Sequence, residues 1–318
     1  MVKREIKLPR LPQSIAIHIG AHKTGTSHLQ KVLFKNSIMI SDEGIRCYGP
    51  RFLRKHGCNL GAMFGLSWSK GNVSGRTAHD QLAFLAESKD RLVFSEENFV
   101  ETLSDKYGCV SLPVYPLAIE RLTELFATWA PIRPQLFLAV RNPASFLESA
   151  YSQVLLGSLC IEPDKFRARN DWRKIDWADY IAKLRKIKGV GEIYVWRQED
   201  YHLTQRLIMR HMLGWDVSRK IKLIKGRVHQ SLSVPAVCQT LAWAQGGEIG
   251  KHAEKARKLF PVNTENKHFD LYGADTLTQA GVIYDAQMVQ IEAMDNVTIL
   301  HAPLRKQKGL KSPAKTAT

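Results

Sequence analysis

The segment Ile17-His18-Ile19-Gly20-Ala21-His22-Lys23-Thr24-Gly25-Thr26-Ser27 gathers the residue types that hold an anion. A short β-branched run, Ile15 to Ile19, ends at Gly20. A stretch from Thr26 to Asn36 follows, with Leu29, Val32 and Leu33 spaced like one helical face. A strand, a loop and a helix joined this way aim backbone N–H groups and the positive end of the helix at one point. Gly20 and Gly25 permit positive φ and the close approach of a phosphate. Thr26 and Ser27 are placed to cap the helix and to offer hydroxyls, and Lys23 adds a compact charge. The two glycines have the separation found in the nucleotide loop GxxxxGK[ST], but Thr26 follows Gly25 and the lysine stands before it. That departure argues against an ordinary ATPase or GTPase. The plainer reading, glycines serving the turn alone, leaves the lysine and the hydroxyls without a purpose.

A second constellation lies downstream. Leu136-Phe137-Leu138-Ala139-Val140 is a continuous apolar run that ends in Arg141-Asn142-Pro143. An arginine at the C-terminal end of a buried strand can fork onto a phosphate. Ser149, eight residues on in Glu148-Ser149-Ala150-Tyr151, adds a hydroxyl two turns into the following helix. Read alone, the arginine serves equally well as a surface residue at a helix entry.

Together these residues resemble one family. His22-Lys23-Thr24-Gly25-Thr26-Ser27 is similar to the 5′-phosphosulfate loop of sulfotransferases that use 3′-phosphoadenylyl sulfate, and most so to the bacterial and carbohydrate-type branch, which tends to read K-T-G-T-[ST]. Arg141-Asn142-Pro143 with Ser149 and Tyr151 resembles that family's 3′-phosphate site. Lys225-Gly226-Arg227 resembles its late basic loop, which closes over the nucleotide; a solvated basic linker is the other reading. The resemblance covers residues 15–233, and nothing beyond 234 matches specifically. It implies 3′-phosphoadenylyl sulfate as co-substrate, no metal, and transfer of a sulfuryl group to an acceptor hydroxyl, with a carbohydrate or other small biomolecule expected as acceptor. Lys23 would stabilise the leaving phosphate. For the base that takes the acceptor proton, Glu96 is the first choice, because Val93-Phe94-Ser95-Glu96-Glu97 places acids just past a strand end, the edge where open α/β sheets bind ligands. A helix start, with Ser95 as cap and Glu96 in the first turn, competes with it. His56 is the second choice. His22 stands in the phosphate loop, and His18, inside a strand, reads as a core histidine.

The elements that must position these groups alternate. Strands are expected at Ile15–Ile19, Gly44–Tyr48, Arg91–Phe94, Gln135–Val140 and 192–196, with helices at 26–36, 81–88, within 113–130, from Pro143, and over 206–213. Pro113 and Pro116 confine the third of these helices to the later part of its range. Residues 234–296 read as mostly helical. The expectation is a P-loop-like three-layer α/β fold with a central parallel sheet flanked by helices. Residues 1–300 would form one domain, and 301–318 a basic disordered tail.

The 318 residues are 44% hydrophobic and 24% charged, which excludes wholesale disorder. The net charge is +16. Half of it comes from residues 1–10 and 302–318, so the body is itself basic and suited to a polyanionic ligand. Residues 165–188 hold nine basic residues, including Arg167, Arg169, Arg173, Arg185 and Lys188, against three aspartates. Either an acidic glycan lies there or the residues form a solvated face. Trp172, Trp177 and Trp196 could stack on sugars or pack in the core. Five scattered cysteines, none in CxxC, read as reduced thiols in a cytoplasmic protein. No apolar run reaches membrane-spanning length. A P-loop nucleotide kinase or phosphotransferase is the rival enzyme, weakened by the displaced lysine and the lack of a strand-ending aspartate for Mg²⁺. A nucleic-acid-binding protein is the non-enzyme rival, weakened by the dispersal of its basic residues.

Overall fold

The computed structural model describes residues 10–69, 74–226, 231–246 and 251–303. Six strands form one parallel sheet: β1 (Ser14–Gly20), β2 (Ile45–Tyr48), β3 (Arg91–Ser95), β4 (Gln135–Val140), β5 (Ile193–Arg197) and β6 (Val297–Ile299), in the order β2-β3-β1-β4-β5-β6. Every pairing is parallel; Ile17 lies between Phe94 on β3 and Leu136 on β4. The three-layer α/β expectation holds.

The pattern of side chains explains the layers. Alternate residues of a strand face opposite sides of the sheet. Ile15, Ile17 and Ile19 of β1 join Phe94, Leu136, Leu138 and Val140 in one core, under the helices Ala118–Trp129, Pro143–Leu156 and Trp177–Leu184. Ala16, Val93, Phe137, Ala139 and Trp196 face the other way, against Leu29, Val32 and Leu33 of the Thr26–Lys35 helix and Ile208, Met209 and Met212 of the Tyr201–Leu213 helix. Strands covered on both faces carry no polar alternation, which is why β1 and β4 read as continuous apolar runs. His18 follows Ala16 onto the second face. Its ring lies 5.8 Å from that of Trp196, its Nδ1 is 2.8 Å from Ser95 Oγ, and burial lowers its pKa to about 4. It is a neutral core histidine, as expected.

Element bounds differ little from expectation. The helix sought within 113–130 is Ala118–Trp129, beyond both prolines. The 234–296 region holds the helices Val234–Gln245, His252–Leu259 and Ala274–Glu292. The sixth strand was not expected: its three residues are too few to show a period, and their pairing with Ile193–Val195 defines them. The competing reading, a helix start at Ser95, does not form, because the chain past β3 runs through bends and turns. Trp172, Trp177 and Trp196 are 4%, 0% and 1% exposed, so all three are core residues. Among the described residues no helix is long and apolar enough to cross a membrane. The expected tail, apart from residues 301–303, lies outside the described residues.

The chain winds from β1 out to β2 and β3 on one side, then crosses β1 to continue through β4, β5 and β6 on the other. β1 and β4 therefore flank the switch point, outside whose C-terminal ends an open α/β sheet forms a crevice.

Candidate active site

That crevice is a cleft of about 1570 Å³. Its floor is the loop between β1 and the Thr26–Lys35 helix. Gly25 is the helix N-cap, with φ 83°. A Cβ there would lie 3.0 Å from Gln198 Oε1 and 3.3 Å from Tyr201 Cδ1, so a side chain meets both strain and contact. The hydroxyls of Thr24 and Thr26 both donate to the Ala21 carbonyl, at 2.6 and 3.0 Å, and the Ala21 N–H donates to Ala139 O on β4. Thr26 is thus spent on loop shape, and no side chain caps the helix. His22 is also fully engaged. Its Nε2–H donates to Asn98 Oδ1, its Nδ1 accepts from the Tyr115 hydroxyl, and its backbone N–H donates to that same oxygen. Burial lowers its pKa, and its three hydrogen bonds make it a strut of the loop. What this bracing leaves over is the run of backbone N–H groups of residues 23–27, none of which has an acceptor among the described residues. Unpaired amides at a helix start, facing a cleft, form an anion cradle.

Cations surround the cradle. Arg141, just past β4, donates from Nη1 to the Lys23 carbonyl at 2.9 Å and from Nε and Nη2 to Ser145 Oγ at 3.0 and 2.7 Å. The guanidinium is thereby fixed between the loop and the Pro143–Leu156 helix. Ser149 lies one turn beyond Ser145 on that helix and lines the cleft, as does Gln153 a further turn along. Gln153 Oε1 accepts from Lys23 Nζ at 3.2 Å. Arg257, from the His252–Leu259 helix, closes the ring. Burial, with Arg141 and Arg257 adding their repulsion, lowers the Lys23 pKa to about 8. Crowding cations with no carboxylate of equal weight marks a place where an anion belongs.

This has a pH consequence. Below pH about 8 Lys23 is protonated and attracts an anion; above it the free protein loses that charge. A bound phosphate holds the proton on, so binding above pH about 8 takes up a proton. Nucleotide affinity should therefore fall as pH rises from about 8 toward 10, by a few-fold in all, because Arg141, Arg257 and the loop amides keep most of the ground-state binding. Lys23→Arg, which stays charged, should remove the decline. Calorimetric titration across that range is the check.

The acids do not sit where expected. Glu96 is 5% exposed, and its carboxylate accepts from Arg54 Nε at 2.7 Å, Arg54 Nη2 at 2.8 Å and the Asn98 N–H at 3.0 Å. It lines a smaller cavity of about 300 Å³ rather than the main cleft. The residue on the cleft wall is its neighbour Glu97, which Arg54 Nη2 reaches at 2.9 Å and Gln30 Nε2 at 3.0 Å. Burial would raise the Glu97 carboxyl, but the electrostatic pull of the His22 ring, its own N–H, Arg54 and the Gln30 hydrogen bond together prevail and hold it below the ordinary carboxylate range. His56 is exposed and lines neither cavity. Of the late loop, Lys225 and Gly226 line the cleft, while Arg227 lies outside the described residues. His28 tethers that loop: its Nε2–H donates to Ile224 O, and Nδ1 accepts from the Tyr201 hydroxyl.

The fold thus brings His22, Lys23, Gly25, Thr26, Ser27, Arg141, Ser149, Lys225 and Gly226 to one cleft, and leaves Thr24, Glu96 and His56 off its walls. Glu97, Ser145, Gln153 and Arg257 are cleft residues that the sequence reading did not single out. Ser145, Ser149 and Gln153 had a legible signal, polar residues every fourth position in a helix otherwise buried.

No protein-family model and no curated protein matches the chain. Among solved structures, the chain is similar to the crystal structure of a sulfotransferase from Alicyclobacillus acidocaldarius, at 13% identity over 80% of this chain and 97% of that one, with a TM-score of 0.36.

Proposed function

We propose that the protein transfers a sulfuryl group from 3′-phosphoadenylyl sulfate to an acceptor hydroxyl. One observation carries the reading: the open amides of Lys23, Gly25, Thr26 and Ser27 share a cleft with the side chains of Lys23, Arg141 and Arg257, and the loop's lysine precedes Gly25 rather than following it. The donor carries two phosphates, and this reading gives each its own set of cleft residues. The amides and Lys23 would take the 5′-phosphosulfate, with the hydroxyl of Ser27 at the helix start. Arg141 and Ser149 would take the 3′-phosphate, and Lys225, Gly226 and Arg227 would cover the nucleotide. Residues 1–300 act as one domain in this reading. The five cysteines are free thiols, as a reducing compartment such as the cytoplasm permits.

In the reaction, the acceptor oxygen attacks sulfur in line with the bridging phosphate oxygen. The new O–S bond forms as the S–O(phosphate) bond breaks, and its electron pair leaves with adenosine 3′,5′-bisphosphate. Lys23 and the loop amides hold the charge that grows on that oxygen. Glu97, the acid on the cleft wall, takes the acceptor proton, and Glu96 acts at one remove by fixing Arg54. The products are a sulfate ester, the bisphosphate and a protonated carboxyl.

Incubation with isotopically labelled donor and a panel of alcohols, read by mass spectrometry, tests the activity; labelled donor left intact with every alcohol speaks against it. Arg141→Ala should weaken adenosine 3′,5′-bisphosphate binding about ten- to a hundredfold, the share of a charged hydrogen bond, while leaving adenosine 5′-monophosphate much less affected. Titration of both nucleotides against both proteins reads the difference.

A further inference from the structure

The Pro143–Leu156 helix runs along the cleft as a ruler. Ser145, Ser149 and Gln153 mark its polar part, ending where Gln153 meets Lys23 Nζ. One residue on, the wall changes character. Val154, Leu156 and Leu159 line the cleft, with Leu103 from the segment after β3. Leu156 stands about 10 Å past Ser149 at 1.5 Å per helical residue, and three residues past Gln153, whose side chain meets Lys23 Nζ. Val154 Cγ1 and Leu159 Cδ2 converge on Gly108, where a Cβ would lie 3.3 and 3.1 Å from them, so the loop after β3 packs directly on this apolar end.

Two charged groups nearby have partners within the loop after β3. The Asp105 carboxylate accepts the N–H groups of Tyr107 and Cys109 at 2.8 and 2.9 Å, and Lys106 Nζ lies 5.0 Å from the Tyr107 ring centroid. The basic 165–188 segment, for which a glycan surface or a solvated face was open, has arginines that work elsewhere. Arg167 donates to Leu271 O, Arg169 to Tyr107 O and Arg185 to Asp295 O, and none of them lines the cleft. The tryptophans that might have stacked on a sugar are in the core.

We infer that the acceptor is a hydrophobic alcohol, its hydroxyl at Lys23 and Glu97 and its alkyl or alkyl-aryl body against Val154, Leu156, Leu159 and Leu103, rather than a glycan. The inference rests on the sulfuryl-transfer reading for the reacting hydroxyl, and on the wall itself for the apolar body.

The probes are 4-alkylphenols from methyl to pentyl, with galactose as the polar comparison. Their binding is measured with and without saturating adenosine 3′,5′-bisphosphate, and kcat/KM is measured with the sulfuryl donor. Affinity should rise about three- to fourfold per added methylene, the usual effect of burying one, and galactose should bind far more weakly. Leu159→Lys, at a half-buried position, should flatten the series and spare nucleotide binding. If that variant is poorly folded, Leu156→Ser makes the same test, and the chain-length series of the parent protein decides without either. A flat series, or preference for galactose, overturns the inference. Should the bisphosphate not bind while the phenols still bind with chain-length dependence, the sulfuryl-transfer reading falls and the apolar site stands. A bound nucleotide with a flat phenol series gives the reverse.

Discussion

Lys23→Ala lowers turnover about a hundred- to a thousandfold, with a much smaller change in affinity for adenosine 3′,5′-bisphosphate. The asymmetry follows from where charge develops. In the bound donor the bridging oxygen carries little charge; as the S–O bond breaks it becomes a phosphate oxygen bearing a full share. A preorganised cation beside it is worth most at that moment, and removing one such donor costs about two to three powers of ten. Ground-state binding keeps the loop amides that line the cleft, Arg141 and Arg257. The Gln153 amide loses its partner, which is harmless at the edge of an open cleft. Steady-state kinetics with calorimetry on the same preparation separates the two quantities. A variant that binds the bisphosphate normally and turns over within tenfold of the parent would remove Lys23 from the reaction.

Glu97→Gln lowers turnover about a hundredfold or more. A positioned base contributes roughly two to four powers of ten, and the lower end is expected here. Arg54 and Gln30 keep the Glu97 carboxylate ionised, and a carboxylate held below its ordinary pKa is a weak base. The amide retains shape and can still accept from Arg54. Glu96→Gln is the matched comparison. It disturbs the Arg54 pairing without removing an acid from the cleft wall, so it should cost less turnover and more thermal stability. A larger kinetic loss in Glu96→Gln than in Glu97→Gln would return the base assignment to the residue first chosen from the sequence. His56→Ala should leave both quantities unchanged, because the ring is exposed and outside the cleft.

Much of the cation-lined end of the cleft was legible because its signals are local. β1 and β4 announce themselves as apolar runs, and each ends in the residues that do chemistry, Gly20 and Arg141. Glu97 was missed for a geometric reason. Adjacent strand residues face opposite sides, but the chain bends directly after Ser95, so strand parity cannot say which of two consecutive acids reaches the cleft. Arg257 was illegible because it arrives from a helix more than a hundred residues past Arg141, brought in only by tertiary packing. The hydroxyl of Thr26, expected on a phosphate, goes to Ala21 O, a choice between two acceptors that composition does not decide. The apolar wall after Gln153 looks in sequence like the end of a buried helix, and only the loop carrying Gly108 turns it into a pocket side.

The central claim is that one cleft holds two phosphates at fixed separation, and the most direct measurement is a calorimetric titration of the parent protein with adenosine 3′,5′-bisphosphate and with adenosine 5′-monophosphate under identical buffer and salt. The account predicts that the bisphosphate binds about ten- to a hundredfold tighter, the share of a charged hydrogen bond to the 3′-phosphate at Arg141 and Ser149. Equal affinities for the two nucleotides would contradict it.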